Sequence, residues 1–430
     1  MEEDVAAVVP VPARVSVDPR RALVQAERHA RPPLPVEPVA VCEHLVFHNR
    51  EVDVADERRA CLDICVALDL VPSGELTDQI RAVGDRITLK WERHTEFSSY
   101  TIVQDGMDDT AGYTPWSTRE NLPWGAVPGQ LLVAQLIGVE RRDEPAWSAG
   151  EDFAWREGTP LCASLVMSDT TLVESDLALD ASGHVRFLVR TSSTEPSRIG
   201  RLVQRLIEIE TYGALCLYAW KDVKEIGPLI GRGEGELGRL IQRLTRSADE
   251  SDEAILRDLT ELASAHEELT ARTHFRLNAS LAYHEIVVRR LNELREQRVE
   301  GRQRLANFIQ RRMNPAARTY RSVLVRQAEL AERIARATSL LRGRIEVAIG
   351  RQNQDLLTAM NDRAEAQYRL QKTVEGLSVV AISYYALGIL AFAAAPIAGR
   401  VDGLGVKEIV GLAVPLVLLA VWLSIRKLRR

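Results

Sequence analysis

Two apolar runs near the end of the chain constrain its fold more than any other feature of the sequence. Residues 377–398 contain no ionisable side chain except two tyrosines, and residues 409–425 contain none. At about 1.5 Å per residue, a helix of the first run's length crosses a hydrocarbon core of roughly 30 Å. Neither run has the polar stripe expected of a core helix in a globular protein. The runs therefore predict a transmembrane hairpin with helices over 377–398 and 409–425.

Seven basic residues flank the two runs on their outer sides. They are Arg363, Arg369, Lys372, Arg426, Lys427, Arg429 and Arg430. The connecting segment 399–408 carries two basic and two acidic residues. By the positive-inside rule, both termini, including the tail over 426–430, are expected in the cytoplasm, and only the 399–408 loop is exported. The seven basic residues are also the candidates for contacts with lipid headgroups.

Charge is distributed unevenly along the chain. Residues 302–372 carry fifteen Arg and Lys against six Asp and Glu, whereas the whole chain has a net charge of −5. An acidic N-terminal part is thus followed by a basic stalk over 301–376. The chain begins with Met1 and three acidic residues, unlike a signal peptide, and the Val/Pro/Ala-rich segment 1–17 is predicted to be disordered. Five cysteines without metal-finger spacing fit a reducing compartment.

The segment 18–195 predicts a head built mostly from strands. A short helix is expected from Asp18, with Pro19 at its first helical position, and another over 56–70. Alternating and β-branched runs predict strands over 39–48, 86–93, 95–103, 130–139, 161–167, 171–179 and 185–190, with a long loop over 105–129. The fold class is therefore an α+β membrane protein. Its N-terminal α/β head has a mostly antiparallel sheet, and a long helical stalk and a two-helix transmembrane hairpin follow.

Helical periodicity replaces strand patterns from Ser197 onward, so the region 196–300 is expected to be helical. Ser197 is the expected cap of the first helix, and further helices are expected from about residue 251 to 300 and from 302 to the membrane. Pro315 is expected to kink or break the last one. From Leu330 to Ala359 the apolar positions repeat every eleven residues, which predicts a straight or slightly right-handed bundle. The stalk and the first apolar run are expected to form one helix.

A literal G-x-G-x-x-G motif spans Gly233 to Gly238. A dinucleotide site requires this motif directly after a strand, with its helix N-terminus facing a pyrophosphate. The preceding segment is helical and contains Pro228, and two glutamates inside the motif would repel phosphate. The motif is therefore interpreted as a flexible joint between helices, and no cofactor is expected.

Candidate metal ligands and nucleophiles are sparse. His44 and His48 would lie about 13 Å apart on one strand, too far for one ion. His94 and Glu96 would lie roughly 6.6 Å apart and lack a third ligand. Cys61 and Cys65 lack redox spacing and are interpreted as buried apolar groups. No catalytic motif is present. The chain has few aromatic residues, which argues against nucleic acid as a partner. No catalytic, cofactor or metal residue is assigned.

The first apolar run carries a face of small and hydroxyl-bearing residues. Its members are Ser378, Ala381, Tyr385, Gly388 and Ala395. Such a face allows close packing between helices, and it could equally line a narrow pore. Neither run contains a carboxylate or lysine that would mark an ion relay.

Four stretches together resemble a family of uncharacterised bacterial membrane-anchored proteins, a domain of unknown function. They are DPRRA at 18–22, ERHARP at 27–32, KWERHTEF at 90–97 and YRLQKTVEGLSVVAISYY at 368–385. The resemblance covers nearly the whole chain and implies a multi-pass protein of the bacterial inner membrane, without an activity. The layout is also similar to the CorA-type magnesium channels, but the Gly-Met-Asn signature of those channels is absent, and Arg400 lies at the mouth.

The sequence therefore predicts a non-enzymatic, membrane-anchored homo-oligomer whose cytoplasmic head senses or binds an unidentified ligand. Membrane lipids are its expected partners, and no cofactor is expected. A divalent-cation channel of CorA-like layout is the alternative. A membrane-tethered enzyme using His94 and Glu96 is a third and weaker hypothesis.

Overall fold

A computed structural model of the chain describes residues 18, 20–21, 24–25, 32–49, 52–73, 78–106, 115–142, 155–156, 158–168, 170–246, 251–398 and 405–428. The predicted disorder over 1–17, most of the short helix from Asp18 and most of the 399–408 loop lie outside these residues. The chain is an α+β protein with two compact units. The first unit comprises the chain up to Gln242 together with Asp258–Ile334, and the second comprises Arg243–Arg257 together with Ala335–Arg430.

A ten-stranded sheet dominates the first unit. Its strands are β1 Ala40–His48, β2 Val71–Ser73, β3 Gln79–Val83, β4 Ile87–Arg93, β5 Phe97–Asp105, β6 Gln130–Arg141, β7 Cys162–Val166, β8 Thr171–Ser175, β9 Val185–Thr191 and β10 Gln297–Arg298. Their order across the sheet is β10-β7-β8-β9-β6-β1-β5-β4-β3-β2. All neighbouring pairs are antiparallel except β6 and β9. The predicted mostly antiparallel sheet is confirmed.

Six α-helices and two short 3₁₀ helices, Trp116–Thr118 and Trp124–Ala126, complete the fold of the described residues. The α-helices are α1 Val54–Ala67, α2 Pro196–Tyr218, α3 Trp220–Arg246, α4 Asp252–Leu294, α5 Leu305–Ala398 and α6 Val406–Leu428. Helix α1 starts at the cap residue Asp53, whose side chain accepts a hydrogen bond from the Ala55 amide at 2.8 Å. Its apolar side packs on one face of the sheet, where Ile64 and Cys65 join Trp91 and Tyr100 in a buried cluster. Helix α2 packs against β1 and β6.

Several predictions from the sequence are wrong in detail. Strands β2, β3 and β10 were not predicted, and β10 contradicts the expectation that no strand follows Ser197. Helix α2 begins at Pro196 with Glu195 as its cap residue, so Ser197 is not the cap. The fixed φ of proline suits the first helical position, where an amide donor would lack a partner in any case.

Two breaks that the sequence suggested in the helices are also absent. Helix α3 runs unbroken through Pro228 and the glycines from Gly233 to Gly238, so these glycines do not form a joint. Helix α5 does not break at Pro315. Apolar contacts on each side of these residues outweigh the local cost of glycine and proline, as the burial of Ile226, Ile230 and Ala316 shows.

The second unit contains α5 from Ala335 onward, the whole of α6 and the short segment Arg243–Arg257. Within it, Arg344 lies 3.1 Å from the Asp252 carboxylate and donates to the Leu244 carbonyl at 3.0 Å. Both α5 and α6 contain a stretch that is long and apolar enough to cross a membrane, judged by length and composition. The predicted continuity of the stalk with the first apolar run is confirmed, because α5 is one helix from Leu305 to Ala398.

Candidate functional site

A row of buried polar side chains crosses the centre of the sheet on the face that α2 covers. In the strand register, Lys90 pairs with Thr101, Thr101 with His44, and His44 with Gln135. All four residues are less than 9% exposed. Burying a polar group without a partner costs roughly 1–3 kcal/mol in proteins, so an uninterrupted row of four such groups needs dedicated partners. This polar row marks the centre of the candidate site.

Helix α2 supplies some of these partners. The Nδ1 atom of His44 lies 2.8 Å from the Thr101 hydroxyl, and its Nε2 lies 3.2 Å from the hydroxyl of Thr211 on α2. The Gln135 amide donates to the Leu206 carbonyl of α2 at 3.3 Å. Burial, followed by the positive charges of His94 and Lys90, lowers the pKa of His44 to about 3. The imidazole is therefore neutral and acts as a fixed hydrogen-bonding group.

The charged end of the row is neutralised inside the protein. The Lys90 ammonium lies 3.0 Å from the Glu92 carboxylate and donates to the Pro32 carbonyl, also at 3.0 Å. Lys90 and Glu92 are 2% and 6% exposed, so water contributes little to their solvation. Two opposite charges at this distance balance each other, which lets the site be polar without a net charge.

A cavity of about 190 Å³ opens beside the polar row, between the sheet and α2. Its buried floor is formed by His44, Glu92, Ser99 and Thr211, and its partly exposed rim by His94, Gln204, Glu208 and Tyr212. An engineered cavity of about 150 Å³ accommodates benzene, so this one suits a molecule of roughly six to eight non-hydrogen atoms. Its lining of hydroxyls, imidazoles and carboxylates favours a ligand with several hydrogen-bonding groups.

A second buried charge pair lies next to the rim. Arg276 of α4 binds both carboxylate oxygens of Glu96, at 2.5 and 3.1 Å, and the Tyr283 hydroxyl donates to the same carboxylate at 2.6 Å. The Tyr283 ring stacks on the rim residue Tyr212, with ring centroids 5.5 Å apart. Desolvation and the neighbouring Glu96 carboxylate raise the pKa of Tyr283. This Glu96 cluster joins the β4–β5 turn to the helices.

The hypothesis of an ion bound by His94 and Glu96 gains no support from this geometry. Both oxygens of Glu96 are occupied by Arg276, and the His94 ring stacks on Phe97 with centroids 4.3 Å apart. Within the parts of the chain that the structure describes, no group of three or more His, Cys, Asp or Glu side chains is placed to hold a metal ion.

A third buried network on the opposite face of the sheet could not be predicted from the sequence. Glu43 accepts hydrogen bonds from the backbone amides of Trp116 and Ser117 at 2.5 and 3.1 Å, and its carboxylate lies 3.0 Å from Nε2 of His184. On the other side of the imidazole, Nδ1 lies 2.9 Å from the Ser182 hydroxyl. Glu43 and His184 are 141 residues apart in the chain, so no local pattern connects them. The network fixes the turn at Trp116 to β1.

The remaining residues singled out in the sequence have structural surroundings. Cys61 and Cys65 are buried in α1, and all five cysteines are free and buried, which confirms their interpretation as buried thiols. Gly233 lies inside α3, where an added Cβ atom would be 3.1 Å from Leu330 and 3.7 Å from Leu262. The motif around Gly233 therefore serves close helix packing, and the strand that a dinucleotide site requires is absent.

The predicted packing or pore face of the first apolar run is largely exposed in the single chain. Ala381, Tyr385, Gly388 and Ala395 are exposed, and Ser378 is partly buried. Among the side chains of this run that the structure describes, the buried ones are instead Ser383 and Ala394, at 3% and 5% exposure. The predicted face is thus available to lipid or to another copy of the chain, and its role stays a prediction.

These features define an α+β protein with a polar cavity beneath a helix and two long apolar helices near its C-terminus. A family model described as "Protein of unknown function (DUF3422)" matches residues 16–430, and the chain belongs to this family. The expected membership of an uncharacterised family is confirmed. No curated protein and no solved structure matches the chain significantly.

Proposed function

We propose that this protein is a non-enzymatic, membrane-anchored receptor whose sheet-containing unit binds a small polar ligand in the cytoplasm. The observation that supports the anchor is the apolar surface of α5 and α6. Tyr384, Phe392 and Leu412 are 76%, 87% and 74% exposed in the single chain. Contiguous apolar surface of this kind is rarely left in water, and it marks a membrane or protein interface.

Lipid is the better match for this surface because both helices combine spanning length with few charges. By the positive-inside rule, the basic residues that flank them favour a cytoplasmic location for both termini and export of the 399–408 loop. Among the described ones, Arg363, Arg369, Lys372 and Lys427 would contact anionic headgroups. The resemblance of the chain to bacterial membrane proteins favours the inner membrane as its location.

The cavity beneath α2 is the best candidate for ligand binding. Its floor is polar, His44 at its centre is neutral, and its rim is partly exposed. A small uncharged or zwitterionic molecule can therefore enter and replace its hydrogen bonds to water with hydrogen bonds to the protein. The exposed face with Tyr385 and Gly388 favours association of several copies, in which small residues allow close helix contacts.

Cysteine labelling tests the anchor. All five native thiols are buried, so background labelling is low. We expect Lys407→Cys to react with a membrane-impermeant maleimide in intact cells, and Lys427→Cys to react only after the membrane is opened. Both lysines are exposed in the structure. Equal labelling of the two variants in intact cells would contradict the proposed topology.

Light scattering of the detergent-solubilised protein is expected to give a mass of at least two chains.

A cavity-filling substitution tests the ligand site. Ser99 is 3% exposed and lines the floor, so Ser99→Leu would occupy much of the free volume. We expect saturation-transfer NMR with a panel of polyols and small zwitterionic amino acids of up to about eight non-hydrogen atoms to give at least one binder, lost in Ser99→Leu. Ser73→Leu, on the exposed edge strand β2, is the matched control. Binding that survives Ser99→Leu would rule out this cavity as the site.

A further inference from the structure

An open groove of about 500 Å³ lies at the C-terminal end of α4, where Arg321 of α5 completes its wall. Arg289, Arg295 and Arg321 line the groove, and all three are exposed. Val288 contributes an apolar patch between them. The groove lies within the first compact unit and shares no lining residue with the cavity beneath α2.

The arginines of this groove have no carboxylate partner among the residues that the structure describes. Glu293, which also lines the groove, is engaged by Arg205 at 3.3 Å and by Arg290 at 2.9 Å, so its charge is already compensated. These ion pairs hold the pKa of Glu293 below its usual range despite the opposing effect of desolvation. Glu285 alone opposes the three free guanidinium groups. The groove therefore has an excess of positive charge.

His284 adds an independent sign of a missing partner. It lines the groove, is 8% exposed, and its Nε2 atom lies 2.9 Å from Oδ1 of Asn314. Its other ring nitrogen, Nδ1, is buried without a hydrogen-bond partner among the described residues. Buried polar atoms in folded proteins almost always have a partner, so this nitrogen is an unsatisfied polar group in the wall of the groove.

We propose that this groove binds a phosphate-bearing ligand. Planar guanidinium groups bind phosphate oxygens through paired hydrogen bonds. A cavity of this size exceeds the need of a bare phosphate ion and falls in the range of small-molecule sites. The Val288 surface would contact the organic part. The ligand is thus a phosphomonoester, either soluble or the headgroup of a lipid.

The inference does not depend on the proposed function, because the groove and the cavity beneath α2 use different residues. Isothermal titration of the full chain in detergent tests it with two probes: inorganic phosphate, and a short-chain phosphatidic acid in mixed micelles. We expect saturable binding of at least one probe. Arg289→Gln and Arg321→Gln are each expected to weaken it about ten-fold, the effect of losing a charge-assisted contact of roughly 1.4 kcal/mol. Both side chains are exposed, and unchanged melting curves confirm that the fold is retained.

Arg312→Gln is the matched control, since Arg312 is exposed on the same helix as Arg321 but does not line the groove. It is expected to bind as the unaltered chain does. Binding of inorganic phosphate alone identifies a soluble source, binding of phosphatidic acid alone identifies a lipid, and binding of both shows that the shared phosphate group is recognised. Equal weakening in Arg312→Gln would show general attraction to basic surface and overturn the proposal. Absence of binding by both probes would also overturn it.

Discussion

Replacing Arg276 with methionine is expected to lower the free energy of unfolding of the sheet-containing unit by about 3–5 kcal/mol, the usual cost of removing one member of a buried ion pair. Arg276 is 6% exposed and Glu96 is 2% exposed, so the carboxylate would be left with the Tyr283 hydroxyl and little water. The methionine side chain fills most of the vacated volume, which limits the cost of a cavity. Chemical denaturation followed by circular dichroism measures the change.

A double variant separates the loss of charge pairing from the loss of packing. Combining Arg276→Met with Glu96→Leu removes both charges, and we expect it to recover much of the stability lost in the single variant. Arg272→Met, at an exposed position of the same helix and in the same unit, is the control and is expected to change stability by less than about 0.5 kcal/mol. If Arg276→Met also changes stability by less than that, the Glu96 cluster is not a determinant of the fold.

The local features of this fold could be predicted from the sequence because they depend on near neighbours. Alternation identified β1, β4, β5, β6 and β9, and the helical period located α2 and α4 to within a few residues. Strand β2 was missed because it has three residues and includes Pro72, and β10 because it has only two. Strands this short form only because they pair with a neighbouring strand, and they are too short to show an alternating sequence pattern.

The candidate site could not be assembled from the sequence because its members come from distant segments. His44 and Thr211 are 167 residues apart, and Glu96 and Arg276 are 180 residues apart. In the sequence, each polar residue of the buried row has the pattern of a solvent-facing strand position, so its burial could not be predicted. Only the register of β4, β5, β1 and β6 aligns Lys90, Thr101, His44 and Gln135. The one local signal was the concentration of polar residues in strands that the structure buries on both faces.

Gly200→Ala, at the start of helix α2, is expected to lower the free energy of unfolding about as much as Arg276→Met does. A Cβ atom at residue 200 would overlap the backbone carbonyl oxygen of Leu34 and lie 3.2 Å from the Cα atom of Pro35. Both contacts are with backbone, and the adjacent amide of Val36 is bonded to the Pro196 carbonyl at 3.1 Å. Because both groups are backbone, no rotamer change can relieve the overlap. We therefore expect the free energy of unfolding to fall by about 3 kcal/mol, in the upper part of the overpacking range.

Gly235→Ala is the matched control, because Gly235 also lies inside a helix but an added Cβ atom meets nothing within 4 Å. Alanine there is expected to raise stability by about 0.5–1 kcal/mol, since glycine costs that much in a helix interior. Opposite signs for the two substitutions are expected in denaturant titrations, and equal signs would contradict the close contact at Gly200.

The effect of Gly200→Ala also reaches the cavity. Helix α2 carries Thr211 and Tyr212, which form part of the cavity wall, and Gly200 fixes where this helix meets the segment 32–37. Lys90 donates to Pro32 in the same segment, so a shift of α2 moves a partner of the polar row as well. We therefore expect Gly200→Ala to weaken any ligand that Ser99→Leu displaces, and Gly235→Ala to leave that ligand bound. Such a result would link one close backbone contact to the geometry of the site.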